Sequence, residues 1–331
     1  MDINTLEEFF HTYTQSEHWH LAHPHQLSPF YNKLTLENYL GQECYYFDFS
    51  NTLKDENITV IKESRFTTIP PHHHKDMEIN YVYEGTCTFL INNKEITLNK
   101  GDLCILNPDV IHSATSYKCE NDIIINIVFK KDFFNSVFLS RLSNKGIISK
   151  FLFNSISRNQ RKDKYLIFHT TNNLKFHTVM QLLLCEYFDP SSCYPELIQT
   201  YVTAMFLELI NSIYDPDTLI NNENSSYDRI IKYLNYIEIN YKNCSLEDLA
   251  YEFGYNPNYI SNILKDNIGY SFSELKSLQQ ITEAAFLLAN SDKSINDIIY
   301  KVGCSNINYF YKKFKKVFHM TPKEYRLSIK K

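Results

Sequence analysis

The sequence predicts an α+β multidomain chain: a β-barrel or sandwich in its first half, a helical segment after it, and an all-α domain of two tandem helix-turn-helix units at its end. Three observations lead there. Residues 58–130 break into short runs separated by turn residues, the pattern of an all-β sandwich or barrel. Residues 172–214 change to a helical period. Residues 245–326 repeat themselves at an offset of 49 to 50 positions, each copy reading helix, glycine turn, helix. The expected boundaries are 1–170 for the barrel and its N-terminal arm, 171–214 for the helical segment, 215–226 for a linker and 227–331 for the helical domain.

In the arm, only Leu6 to Phe10 reads as a short helix. Five histidines crowd it (His11, His18, His20, His23 and His25), with no carboxylate or cysteine at ligand spacing; a solvated arm is expected. Met77 to Tyr83 alternates and stops at Gly85; Thr86 to Ile91 follows. Asn92-Asn93 then supplies the positive φ angles of a hairpin before Glu95 to Leu98. Lys100-Gly101-Asp102 turns into Leu103 to Leu106, and Asp122 to Phe129 is a last buried strand. Two helices come next. One carries Leu174, Val179, Leu182, Leu183 and Tyr187 at helical spacing, the other Leu197, Tyr201, Ala204, Met205 and Leu209, with Asp189-Pro190-Ser191-Ser192 between them. The Asn- and Asp-rich stretch from Asp215 to Ser226 reads as the linker.

Composition narrows the class. The 331 residues are 44% hydrophobic and 21% charged, a globular balance. Eight cysteines are scattered without a Cys-x-x-Cys pair, which excludes a zinc ribbon or a secreted disulfide framework. The acidic N-terminus lacks a signal-peptide core, and no apolar run is long enough to span a bilayer. A cytoplasmic chain is expected. The net charge of −5 hides an asymmetry: residues 225–331 hold 15 basic and 11 acidic groups, so the acidic excess lies entirely in the first 224. A basic C-terminal block is the electrostatic footprint expected of nucleic-acid binding.

The repeat is the strongest signal. Ser245 to Gly254 aligns with Ser294 to Gly303, and past one inserted residue Tyr259-Ile260 aligns with Tyr309-Phe310 and Leu264-Lys265 with Phe314-Lys315. Ser245, Ser271, Ser294 and Thr321 each precede a carboxylate by three positions (Asp248, Glu274, Asp297 and Glu324), the capping-box spacing. Asn256-Pro257 offers another cap. The second helix of each copy has an apolar face, Ile260, Ile263 and Leu264 in one, Ile307, Phe310, Phe314 and Val317 in the other. Its opposite face is polar. Asn256, Asn258, Tyr259, Ser261, Asn262 and Lys265 are the candidate DNA contacts of the first copy; Ser305, Asn306, Asn308, Tyr311, Lys312 and Lys315 are those of the second. Asn can bond adenine bidentately, and Lys can reach guanine or phosphate. An ordinary helical bundle with solvated polar faces is the competing reading, and two copies with matched caps, glycines and lysines weigh against it.

Residues 245–326 closely resemble the DNA-binding domain of AraC/XylS-type transcription regulators. The resemblance is carried by Leu249-Ala250, Gly254-Tyr255, Asn258-Tyr259-Ile260, Gly303, Tyr309-Phe310, Phe314-Lys315 and Met320 to Arg326. Cys304 and Leu264 stand where Phe is usual, Ile299 where Ala is, Gln280 where Arg is and His319 where Gly is. The strand-rich half resembles a cupin-like sensor domain. His72-x-His74-x3-Glu78-x6-Gly85 has the spacing of the first cupin motif, and Gly101, Pro108 and His112 approximate the second, with Val110 and Ser116 at its usual Gly and Asn.

These resemblances imply a regulator, not an enzyme, that binds double-stranded DNA as a homodimer through the helical segment, contacts RNA polymerase as an activator and answers to a small-molecule effector. No cofactor and no membrane partner is expected. His72, His74, Glu78 and His112 are implied as the effector-binding set. In metal-binding cupins the same set holds an ion, and its chemistry suits Zn, Fe, Mn or Ni. A metal-dependent cupin enzyme fused to a DNA-binding domain, and a constitutive regulator without a ligand, remain as alternatives.

Overall fold

The computed structural model describes residues 1–53, 57–91, 93–130, 133, 165–213, 226–268 and 270–329. They divide into two compact units, one of the described residues up to 133 with 165–212, the other of those from 213 onward. Asn92 and nearly all of the expected linker, 215–225, fall outside the described residues; Ser226 opens a helix.

The first unit is a two-sheet barrel. Its strands are β1 (Thr35–Tyr39), β2 (Gln42–Tyr46), β3 (Ile58–Lys62), β4 (Ile69–His73), β5 (Met77–Glu84), β6 (Thr86–Ile91), β7 (Lys94–Asn99), β8 (Leu103–Leu106), β9 (His112–Ala114), β10 (Ile123–Phe129) and β11 (Tyr165–Phe168). One sheet runs β1-β2-β4-β9-β6-β7, the other β11-β8-β5-β10-β3. Gly85 turns β5 into β6 at φ +73, and a Cβ there would meet the Asn121 carbonyl at 2.6 Å, so no other residue fits. Val82, Cys87, Phe89, Leu98, Cys104, Leu106 and Ile124 pack between the sheets.

β5 alternates in sequence, yet both of its faces are buried. Val82 belongs to the barrel core. On the other face, the Tyr83 ring meets Phe10 at 4.9 Å, and the Tyr81 hydroxyl lies 2.9 Å from His177 Nδ1. Helices therefore cover the outside of the second sheet. They include α1 (Ile3–His11) and α3 (Leu174–Phe188); α2 (Gln15–Ala22) and α4 (Tyr194–Ile213) complete the helices of this unit. The buried face of α3 is Phe176, Met180, Leu183 and Leu184, whereas Leu174 and Leu182 of the expected stripe are exposed. On α4, Ile198, Val202 and Phe206 join the expected Met205 and Leu209 inside. Both helices are apolar over more than one face, so period alone does not select the buried one.

The arm is not merely solvated. Glu17 on α2 is fully buried and accepts hydrogen bonds from Arg65 Nε at 2.7 Å and Arg65 N at 3.2 Å, with Lys62 Nζ also 3.2 Å away. The remaining Arg65 donors go to the carbonyls of Glu120, His11 and Thr12. His20 is buried too.

The second unit is all helical: α5 (Ser226–Asn240), α6 (Leu246–Phe253), α7 (Pro257–Ile268), α8 (Phe272–Asn290), α9 (Ile295–Lys301), α10 (Ile307–Phe318) and α11 (Pro322–Ile329). All four Ser/Thr caps form. Ser245, Ser271 and Thr321 make reciprocal capping boxes, and Ser294 caps the Asp297 N–H at 3.1 Å. Gly254 and Gly303 take φ +68 and +79 between the helices of each pair. The long helix α8 lends Ile281, Ala284, Ala285 and Leu288 to a core completed by Ile298, Ile299, Val302, Phe310 and Phe314.

Candidate nucleic-acid interface and buried histidine cluster

Each helix-turn-helix pair presents the polar face of its second helix to solvent. On α7, Asn258, Tyr259, Asn262 and Lys265 are exposed and Ser261 is half-buried, while Ile260 and Leu264 are fully buried. On α10, Asn308, Lys312 and Lys315 are exposed and Phe310 and Phe314 are fully buried. Three of the predicted contacts have a second task. Asn306 Oδ1 accepts the Tyr309 N–H at 2.9 Å and Asn256 Oδ1 the Asn258 N–H at 2.8 Å, so both serve as helix caps. Tyr259 accepts a hydrogen bond from Arg229 Nη1 at 3.1 Å and stacks on Tyr255. Tyr311 is half-buried against the α8–α10 core. Ser305 is exposed just before the Asn306 cap.

The two unusual residues at the second turn meet each other. Gln280 Nε2 donates to the Gly303 carbonyl at 3.1 Å, and Cys304 Sγ donates to Gln280 Oε1 at 3.3 Å. Gln280 thus ties the long helix to the second turn through both Gly303 and Cys304. His319 caps α10 in the left-handed region, φ +58, where Gly carries no Cβ penalty.

In the barrel, His72, His74, Glu78 and His112 converge, all buried, with one ligand atom from each within 4.8 Å of the others. The backbone explains the aim. Pro70 and Pro71 have no N–H to give the β4–β9 ladder, and its register shifts between Ile69 and His72. His72 then lies directly opposite His112, their rings 4.0 Å apart. Glu78 comes from β5 in the other sheet. His74 Nε2 is 2.5 Å and His112 Nε2 3.4 Å from Glu78 Oε2.

Each imidazole is fixed from behind. The Nδ1 atoms of His72, His74 and His112 lie 2.9, 2.8 and 3.0 Å from the carbonyls of Pro70, Asp76 and Val110. Donation to those carbonyls places the proton on Nδ1 and leaves the Nε2 lone pairs facing inward, as in metal-binding histidines. The Nε2 atoms of His74 and His112 complete no hydrogen bond among the described residues. Burial and the neighbouring His112 push His72 well below its ordinary pKa. Burial alone would lower His74, but the Glu78 carboxylate overrides it and raises the group. Burial works against the charge on Glu78 as well; the two imidazoles reverse that and hold it well below the usual carboxylate range. Phe47 stacks on His72 at 4.2 Å and Phe49 meets His74 edge-on, which shields the cluster. Three imidazoles and one carboxylate, pre-aimed and buried, fit a divalent transition ion, whose binding would release the proton that Glu78 favours on His74.

Comparison with known proteins matches a domain in each region. Residues 249–328 match the model of a helix-turn-helix domain, and residues 62–118 that of the AraC-like ligand binding domain. The chain thus carries an AraC-like ligand binding domain and a helix-turn-helix domain, and the relatives it is similar to are transcription regulators. A stretch of 82 residues is 39% identical to the uncharacterized HTH-type transcriptional regulator YtdP of Bacillus subtilis, covering 25% of this chain but only 11% of that protein. The HTH-type transcriptional activator RhaS of Yersinia pestis is 24% identical over 264 residues, which is 78% of this chain and 90% of RhaS. Among solved structures, apo ToxT from Vibrio cholerae aligns over 82% of this chain and 96% of its own at 17% identity and a TM-score of 0.33. The two matches place the ligand-binding-like domain before the helix-turn-helix domain in the chain. Among the described residues no helix is long and apolar enough to cross a membrane.

A second set of polar residues, three buried and one half-buried, had no sequence signal. Glu63, Asn80, Lys118 and Asn126 stand at unremarkable spacings, and only the strand register brings them together. The histidine-rich arm likewise yields a tertiary cluster, His11 with Glu7 and Glu84, which sequence spacing missed because Glu84 lies on β5.

Proposed function

We propose that this protein is an effector-controlled transcriptional activator that binds direct-repeat half-sites as a homodimer, reading DNA through α7 and α10. The observation that carries the reading is the paired polar faces, each anchored by a matched apolar face and matched caps. Two second helices fixed on one linking helix suit successive turns of a major groove. We assign residues 1–170 to sensing, 171–214 to dimerisation and 227–331 to DNA, with RNA polymerase as the downstream partner; the printed role of RhaS as an activator supports the sign. A gel-shift titration on the upstream region of its own gene tests the interface. The variant Asn308→Ala with Lys312→Ala is expected to lose tenfold or more in affinity, about 1.4 kcal/mol; unchanged binding would refute the assignment.

A second reading concerns the histidine cluster. Its pre-aimed Nε2 atoms favour a divalent metal held by His72, His74, Glu78 and His112, a closed set in which an ion would tie the two sheets together and could itself be the signal. Metal analysis of the purified protein, with a thermal melt before and after chelation, should find near-stoichiometric metal and a lower Tm on its removal. Both effects should vanish in His74→Ala. Trace metal and an unchanged Tm would reject this reading and leave the DNA-binding one standing. Among the described residues, no substrate-handling group beyond the cluster argues for an enzyme.

A further inference from the structure

Arg229 ends the first turn of α5, ahead of the residues that match the helix-turn-helix domain. Its Nη1 donates to the Tyr259 hydroxyl of α7 at 3.1 Å, and this bond lies at the surface. The Tyr255 hydroxyl faces the same guanidinium and sustains its charge, with Tyr259 adding to the effect. The Tyr255 and Tyr259 rings stack 5.1 Å apart, each 40% exposed. Behind them Tyr233 is fully buried, its ring 6.5 Å from that of Tyr255. One cation is thus ringed by three phenols, drawn from α5, the turn and α7.

What this group lacks is a carboxylate. Arg65, in the barrel, closes on Glu17; among the described residues the partners of Arg229 are phenols. Arg229 Nε and the Tyr233 hydroxyl, both buried, complete no hydrogen bond among the described residues. A guanidinium has five donors and keeps its charge at any ordinary pH, so this one has charge and bonding to spare. The repeat adds an independent observation. Tyr259 aligns with Tyr309, and there Lys313 Nζ lies over the ring at 5.3 Å. The position of Lys313 in the first copy is Ile263. Each second helix therefore has a cation on its matched tyrosine: α10 supplies its own, and α7 takes Arg229 from α5.

We propose that Arg229, with the Tyr255 and Tyr259 hydroxyls, binds a phosphate of the DNA backbone and makes α5 a third DNA-contacting element. The proposal rests on the DNA-binding reading above and adds a site to it. Tyr259 follows Asn258 and precedes Asn262 by three residues, both of them exposed, so the group opens beside the face assigned to base edges. Phosphates border the groove there, and Arg and Tyr side chains both contact them. Phenols that accept from the guanidinium keep their own O–H protons to donate. A phosphate oxygen would meet the cation and the hydroxyls together, in charge-assisted hydrogen bonds. A carboxylate in its place would have spent the Arg229 charge inside the protein.

The test is fluorescence anisotropy of the full chain on two duplexes over a range of salt. One duplex is the upstream region of its own gene, the other a scrambled sequence of equal length. Arg229→Gln should weaken both complexes by a similar factor, about tenfold, and lower the salt slope by about 1. Arg229→Lys should keep that slope with the charge, while losing part of the affinity with the fork. Tyr255→Phe with Tyr259→Phe preserves the stacked rings and should weaken both complexes with the slope unchanged. The proposal is overturned if Arg229→Gln leaves affinity and slope intact. A loss of affinity without a change of slope overturns it too, as the mark of a purely structural tie between α5 and α7. If Arg229→Gln fails to fold, the phenylalanine pair decides, and unchanged affinity there overturns the proposal. Millimolar inorganic phosphate is the remaining arm. Phosphate that raises the Tm of the natural protein but not of Arg229→Gln, with equal DNA affinity in both, would mark a free-anion site and overturn the DNA assignment. A loss of binding in Asn308→Ala with Lys312→Ala but not in Arg229→Gln sinks this proposal alone. No binding by the natural protein sinks the DNA-binding reading itself.

Discussion

Glu17 shows how one side chain can fix an otherwise unreadable segment. Burial opposes its charge, but the Arg65 and Thr14 hydrogen bonds and nearby Lys62 hold its pKa at about 2, below the ordinary 4.5. A depressed carboxylate contributes stability that is complete above its unfolded pKa and lost as pH falls through the folded one. That places the loss between about pH 4.5 and pH 2, on the order of 3 kcal/mol in all. Acid titration of stability should show this limb, and Glu17→Gln should flatten it while destabilising the protein at neutral pH by leaving Arg65 unpaired. Glycine conformation gives a second prediction at this scale. Both turn glycines have positive φ, but a Cβ on Gly303 would sit 3.0 Å from the Lys242 carbonyl, whereas one on Gly254 meets nothing within 4 Å. Gly254→Ala should cost about 1 kcal/mol, the left-handed penalty alone, and Gly303→Ala clearly more in denaturant titrations. His319→Gly, relieving the same penalty, should stabilise by up to about 1 kcal/mol.

Between α7 and α10, the proposed recognition helices, the difference is chemical. α10 carries Lys312, Lys313, Lys315 and Lys316, while α7 carries Lys265 and the amides Asn258 and Asn262. Lysines on phosphates bind without regard to sequence, whereas amides on base edges discriminate. Lys312→Ala and Lys315→Ala should therefore weaken binding to every DNA alike and each reduce the salt slope by about 1. Asn262→Ala should leave that slope intact and relax specificity at one position, by about 1–3 kcal/mol. The reverse pattern would exchange the roles assigned to the two helices. Gln280 and Cys304 bear on the same elements: because they bond each other, their substitutions should not add.

For the molecule as a whole, dimerisation is the open prediction. On α3, Leu174 is 78% exposed and Leu182 lies on the same outward side of the helix. Apolar side chains left in water on a helix that already buries another face suit a second copy of the chain. Leu174→Asp with Leu182→Asp is expected to convert a dimer into a monomer by analytical ultracentrifugation. Affinity for a two-half-site operator should fall with it, while binding to a single half-site persists. A dimer that survives both substitutions would move the interface elsewhere.

The helix-turn-helix pair was legible residue by residue, because caps, glycine turns and apolar period are local instructions repeated twice, and each of them formed. So were the central strands and the spacing of His72, His74 and Glu78. Much of the rest was hidden. β1 and β2 have no clean alternation, the helices on the second sheet bury both faces of β5, and α3 is apolar on more than one side. The sequence by itself determined which residue types were available: a solvent-facing set of Asn and Lys, and three histidines with one glutamate. Only the tertiary structure decided that the imidazoles are held from behind with their Nε2 atoms inward, that Glu17 closes on Arg65, and that Glu63 meets both Asn126 and Lys118. The reason is physical. A helical cap or turn is set by neighbours a few residues away, whereas the polar interior of a barrel is set by strand register between segments far apart in the chain.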